Sequence, residues 1–281
     1  MKFRIISLLI ISTLYCLLES EAQVLQSVSL NLRTYGVKIN VTDMDKAIDF
    51  YSRQLGFEIE SRKNYPNLVE LKSNDENKLI LNLVRNLVAE GPKDIKAGLT
   101  LQVNDYDKSV AKLKERGVDF GNNVKRKEGV GYSIYFTDPF GTQLSTMHVT
   151  VIKEEPFIEP RIYNYGVLVP DMGKAREFFK KLGFVERSER YLPLDMPLGH
   201  PDKSFGFMIH FRDGIEALHY NTANDEHVVI LFKTDNLDFA FETLKKSGIE
   251  TVQSKIQESE LGRYISFRDS FGMVYELVEV N

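Results

Sequence analysis

Residues Gly36–Phe57 read GVKINVTDMDKAIDFYSRQLGF, and the fold follows from them. Val37, Ile39 and Val41 alternate with Lys38, Asn40 and Thr42, the period-two pattern of a strand with one buried face. Asp43 is a good helix N-cap, and Gly56 is the residue expected just past a helix end. Between them Ile48, Tyr51 and Leu55 share one helical face. The phrase returns at Gly166–Phe184, GVLVPDMGKAREFFKKLGF. Asp43 to Asp171 and Lys46 to Lys174 are 128 positions apart, but Leu55 to Leu182 and Gly56 to Gly183 are 127 apart. The second helix has therefore lost one residue.

A second phrase also repeats. NDYDKSVAKLKERG followed by YFTDPFGTQL in the first half becomes DNLDFAFETLKKSG followed by SFRDSFGMVYEL in the second. Asp107 to Asp238, Gly117 to Gly248, Asp138 to Asp269 and Gly141 to Gly272 all share an offset of 131. This period is too long for a solenoid unit and marks a duplicated domain. The chain divides into domains over 31–150 and 161–281, joined by 151–160, where KEEPFIEPR (Lys153–Arg161) is charged and carries two prolines. Each domain holds two strand–helix–strands modules. The fold class is α+β, in two tandem domains.

Composition excludes several classes. At 281 residues and net charge −4, with basic clusters only at Lys125–Lys127 and Lys180–Lys181, the chain has no broad electrostatic grip on nucleic acid. No glycine-rich phosphate loop is present. Met1–Ala22 reads as an export signal: Lys2 and Arg4, then a short apolar run Ile5–Leu18, then Ser20-Glu21-Ala22. Cleavage there starts the mature chain at Gln23 and sends it to the periplasm or outside the cell, with no membrane segment left. Cys16 is the only cysteine and leaves with the signal, so the mature chain has neither disulfides nor a thiolate nucleophile. Arg187–Ser204, rich in Pro, Gly and charge, makes a dozen extra residues in the second half; it reads as a surface loop or a lid.

A module used four times, with V-x-D before the helix, F-Y or F-F inside it, L-G-F after it and D-P-x-G before the last strand, resembles the vicinal oxygen chelate superfamily. That group includes glyoxalase I, bleomycin-resistance proteins and extradiol dioxygenases. The matching residues are Val41-Thr42-Asp43-Met44, Phe50-Tyr51, Leu55-Gly56-Phe57 and Asp138-Pro139-Phe140-Gly141. The second half offers Val169-Pro170-Asp171-Met172, Phe178-Phe179, Leu182-Gly183-Phe184 and Asp269-Ser270-Phe271-Gly272. The resemblance implies cup-shaped sheets, each from two modules, around a small ligand, and in many members a divalent metal held by His and Glu.

Carried over residue by residue, that metal site is mostly gone. The positions implied by the resemblance fall on Gly36, Gly98 and Ser145 in the first half, with only Asn82 as a polar candidate on the intervening strand. In the second half they fall on Asn164, Val229 and Glu276; His227 and His219 are off-register neighbours. Glu276, His227 and His219 are thus the candidate ligands for Zn, Ni, Fe or Mn, in the second domain only. With each cup built inside one half, the first presents Lys38, Asn40, Thr100, Gln102, Gln143 and Ser145. The second presents Asn164, Leu168, His227, Val229, Leu231, Lys233 and Glu276. Gly36 and Gly98 leave the floor bare, for a ligand or for close backbone approach.

The leading reading is an exported protein binding a small organic molecule in a cup, without the full metal site and with no cofactor. The alternatives are a metal-dependent lyase or dioxygenase acting in the second domain, and a non-catalytic structural tandem. Catalytic residues are not assigned, and a homodimer is the other way such modules come together. Asn40-Val41-Thr42 is a glycosylation sequon, but its inward strand position makes it silent.

Overall fold

The computed structural model describes residues 30, 32–72, 78–87, 97–150, 157, 159–186, 195–199, 207–211 and 226–280. Residues 1–22, read above as an export signal, and most of the 187–204 stretch lie outside these. Module 1 is β1 (Arg33–Val41), α1 (Met44–Ile48), β2 (Glu58–Ser61), β3 (Leu68–Lys72) and β4 (Lys78–Leu83). Module 2 is β5 (Ala97–Gln102), α2 (Tyr106–Glu115), β6 (Arg126–Glu128), β7 (Gly131–Thr137) and β8 (Gln143–Val149). Module 3 is β9 (Arg161–Val169), α3 (Met172–Lys181), β10 (Val185–Glu186), β11 (Asp195–Gly199) and β12 (Phe207–Phe211). Module 4 is β13 (Val228–Lys233), α4 (Leu237–Lys246), β14 (Gln257–Ser259), β15 (Gly262–Arg268) and β16 (Val274–Val280).

The four helices start the same way. The side chains of Asp43, Asp105, Asp171 and Asn236 each accept from the backbone N–H three residues on, at 2.9–3.1 Å. Each helix is followed by a glycine at positive φ: Gly56, Gly117, Gly183 and Gly248. The residue that module 1 has and module 3 lacks is absorbed by a wider turn: α1 continues as a π-helix over Asp49–Gln54. Part of the loop expected over 187–204, inside module 3, is strand, since β11 pairs with both β10 and β12. Arg161, placed at the end of the linker, is the first residue of β9.

The sheets do not form within the halves. One has the order β14-β15-β16-β13-β1-β4-β3-β2 and the other β10-β11-β12-β9-β5-β8-β7-β6. Module 1 therefore shares a sheet with module 4, through antiparallel β1 and β13. Module 2 shares one with module 3, through antiparallel β5 and β9. This corrects both cup linings expected above. β1 and β5 alternate, β9 alternates in part, and β13 is an apolar run up to Phe232; none of these patterns names a partner strand.

Side-chain packing runs the other way. One core takes in the helix-facing sides of both sheets and all four helices. Tyr51 of module 1 donates to Asp138 of module 2 at 2.8 Å. Phe178 and Phe179 of α3 pack on Tyr275 of module 4, with ring centroids 6.0 and 5.7 Å apart. Backbone hydrogen bonds thus join the halves, while aromatic packing joins the modules within each half. The linker is fastened as well: the Glu159 carboxylate takes Lys112 at 2.6 Å and Arg116 at 2.6 and 2.9 Å, and Arg116 holds its pKa below the usual range.

Asp138 and Asp269 are the buried charges of this core. Asp138 accepts from the amides of Phe140 and Thr142; Asp269 accepts from those of Phe271 and Met273 and from the Tyr275 hydroxyl. Burial outweighs these bonds and pushes Asp269 up to about 6. Folding thereby gains a proton: the contribution is complete below the unfolded value near 3.8 and is lost as pH rises through about 6. The window is worth about 3 kcal/mol. Asp269→Asn keeps an acceptor for both amides and should flatten the wild-type fall in melting temperature between pH 4 and 6.5; an unchanged slope would assign it elsewhere. Tyr51→Phe strips one partner from buried Asp138 and should cost about 1–3 kcal/mol in urea unfolding.

Candidate functional site

Strand alternation gives each sheet a helix-covered face and an inner, concave face. In the first cup, from modules 1 and 4, the inner face is packed shut. Leu68, Ile80, Val229, Leu231, Leu261 and Val274 form a separate apolar cluster, with Tyr35 and Val252 against it. Ile80 and Leu231 are fully buried. Burial, reinforced by Glu70 and Glu60, pushes the Tyr35 phenol up to about 12, so this capping residue stays neutral. Gly36 sits where β4 passes close: a Cβ there would collide with the Lys78 carbonyl.

The polar candidates in this cup are spent on one another. The Lys38 ammonium pairs with the buried Glu276 carboxylate. Asn40 donates to the Glu226 carbonyl at 2.6 Å and accepts from Asn82 at 2.8 Å, and its 3% exposure keeps the sequon from any modifying enzyme in the folded state. His227 is at the start of β13, with Nδ1 3.4 Å from Thr142 Oγ1 in the module 2 turn. His227 was expected to share the inner face with Val229; as the residue before the strand, it is instead held by a neighbouring module. Lys233 is exposed at the far end of β13, paired in register with Arg33. His219 lies outside the described residues.

The second cup, from modules 2 and 3, differs in kind. Thr100 on β5 stands between Ser145 on β8 and Asn164 on β9. Thr100 Oγ1 and Ser145 Oγ are 3.0 Å apart. One row on, Gln102 Oε1 accepts from Arg161 Nε at 3.0 Å, and the guanidinium lies 4.2 Å from the Phe157 ring centroid. On the other side Gly98 pairs with Gly166. Gly98, Thr100, Gln143, Asn164 and Gly166 are only half-buried. Four expected binding residues therefore converge here: Thr100, Gln102, Ser145 and Asn164. They come from both halves of the sequence, with Arg161, Gly166 and Tyr135 as members the sequence reading missed. Tyr135 could have been found from its alternation with Ile134 and Phe136, and Gly166 from its likeness to Gly36.

The sequence profile of the Glyoxalase/Bleomycin resistance protein/Dioxygenase superfamily matches residues 34–146 and again 161–277. The chain belongs to that superfamily. Among curated proteins no significant match is found. Among solved structures, glyoxalase I from Zea mays is 16% identical, with a TM-score of 0.64 over 89% of this chain and 92% of that one. A putative dioxygenase from Bacillus subtilis subsp. subtilis str. 168 is 12% identical, with a TM-score of 0.60 over 87% and 85%. The cppA protein from Streptococcus pneumoniae TIGR4 is 12% identical, with a TM-score of 0.51 over 89% and 100%. At these identities the likeness is one of fold.

The superfamily implies a divalent metal in many members, and the first cup does not suit one. Glu276 is neutralised by Lys38, with Val229, Leu231, Ile80 and Gly36 around the pair. Among the described residues, no three of His, Cys, Asp and Glu gather as a donor set. An ammonium fixed to the chain supplies the positive charge that keeps this carboxylate buried. Lys38→Met should strand Glu276 and cost about 3–5 kcal/mol in urea unfolding, whereas Lys38→Met with Glu276→Leu should return to within about 1 kcal/mol of wild type or above it. Equal losses in the single and double variants would show that the pair is not what holds the cup.

Proposed function

We propose that this chain is an exported, metal-independent member of the superfamily that binds a small organic molecule in the second cup. The contrast between the cups carries the reading: the inner face of one is filled by its own apolar side chains, while the other keeps half-buried polar groups around a bare floor. Pockets for small ligands combine such walls with a few converging polar groups. Export is supported by the make-up of residues 1–22.

Gly98 supports the reading independently. Its backbone does not require glycine, and an added Cβ would meet Gln143 O at 3.4 Å, ordinary contact. Gly36 is glycine because a strand passes close; Gly98 has no such need for it. Gly98→Val should therefore fold at least as stably as wild type, by up to about 1 kcal/mol, because strand glycine is costly. It should also lose the rise in melting temperature that wild type shows with its ligand from a metabolite library. That rise corresponds to about 2.7 kcal/mol at 100-fold over Kd. Retained binding in Gly98→Val would move the site out of this cup. Stoichiometric Zn, Ni, Fe or Mn in the purified protein would overturn the metal-independent reading.

A further inference from the structure

The second cup restricts the chemistry of what it can hold. We infer that its ligand is a polyhydroxylated small molecule, a sugar or polyol; this rests on the second cup being the binding site. The first observation is Asn164 Oδ1, which is buried and has no hydrogen-bond partner. It belongs to the residue directly across from Thr100. A buried acceptor left unmet costs about 1–3 kcal/mol, which a ligand donating to it recovers.

The second observation is the Thr100–Ser145 pair. When one hydroxyl donates to the other, the pair still has a proton to give and lone pairs to offer. A ligand hydroxyl both donates and accepts, so it can satisfy Asn164 and this pair alike. Neighbouring strands lie ~4.8 Å apart, so separate hydroxyls of one polyhydroxylated molecule can each meet a different strand. The third is Tyr135, directly across from Ser145 on the same face and 41% exposed. Its ring, with the Arg126 guanidinium 4.9 Å from the centroid, offers a flat apolar surface beside the hydroxyl row, suited to the C–H face of a sugar ring.

Other ligand classes fit less well. An apolar molecule leaves Asn164 unmet. A chelated metal complex finds neither carboxylate nor imidazole among Thr100, Ser145 and Asn164. A carboxylate would look to Arg161, whose Nε is already committed to Gln102.

The test is a heteronuclear NMR titration of the purified protein with myo-inositol and methyl β-glucoside, and separately with toluene and benzoate. At least one polyhydroxylated probe should shift the amides of β5, β8 and β9. Asn164→Leu and the near-isosteric Thr100→Val should each weaken that binding about tenfold, the equivalent of one lost hydrogen bond, with the rest of the spectrum preserved. Tyr135→Ala should weaken the methyl glucoside. If toluene or benzoate shifts these strands and neither polyhydroxylated probe does, the ligand class is wrong but the site stands. Polyhydroxylated binding unchanged in both Asn164→Leu and Thr100→Val would overturn the inference too. Absence of any shift, from these probes and from the metabolite library, would remove the binding reading itself.

Discussion

Two antiparallel strand pairs, β1 with β13 and β5 with β9, hold this molecule together. Each lies at the centre of an eight-stranded sheet and joins a module of the first half to one of the second. A first strand left unpaired would expose a row of backbone donors and acceptors at the middle of its sheet. Pairing inside one chain satisfies both rows, and it forces each cup to draw its lining from both halves of the sequence. Lys38 reaches Glu276 only because of that pairing, and Thr100 faces Asn164 for the same reason.

The same arrangement explains why helices and strands hold the halves together in different ways. Strand hydrogen bonds cross between halves, so the helices lock each half internally: Tyr51 onto the Asp138 turn, and Phe178 and Phe179 onto Tyr275. The two seams are related but not alike. In the first, a tyrosine on the helix satisfies the buried aspartate. In the second, the helix carries phenylalanine and the aspartate takes its hydroxyl from Tyr275 on its own module's last strand. A buried carboxylate needs partners, and the duplicated halves have met that need from different elements.

The cups show how duplicated scaffolds diverge. Both keep a glycine on the first strand, but a Cβ on Gly36 would collide with a passing carbonyl, whereas one on Gly98 would make ordinary contact with Gln143. In one cup, apolar side chains and a buried ion pair fill the inner face. In the other, Thr100, Gln143 and Asn164 remain half-buried beside buried Gln102 and Ser145. A duplicated scaffold can pack one inner face with apolar side chains and keep polar groups on the other, as this chain does.

Much was legible along the chain. Period-two alternation, Asp and Asn caps and glycine stops are local features, and they located the helices, most of the strands and the duplication. Even the shift from 128 to 127 in the offset was a true sign, since it marks the π-helix at Asp49–Gln54. The polar character of Thr100, Gln102, Ser145 and Asn164 could likewise be read from alternation. Their meeting in one cup could not. Four modules can pair their first strands in several ways, and nothing in the local pattern of any one strand names its partner. Tertiary structure alone decided that module 1 pairs with module 4, that His227 turns to Thr142, and that Lys38 neutralises Glu276. Alternation sets which face a side chain takes; only the long-range hydrogen bonds between strands set what that face meets.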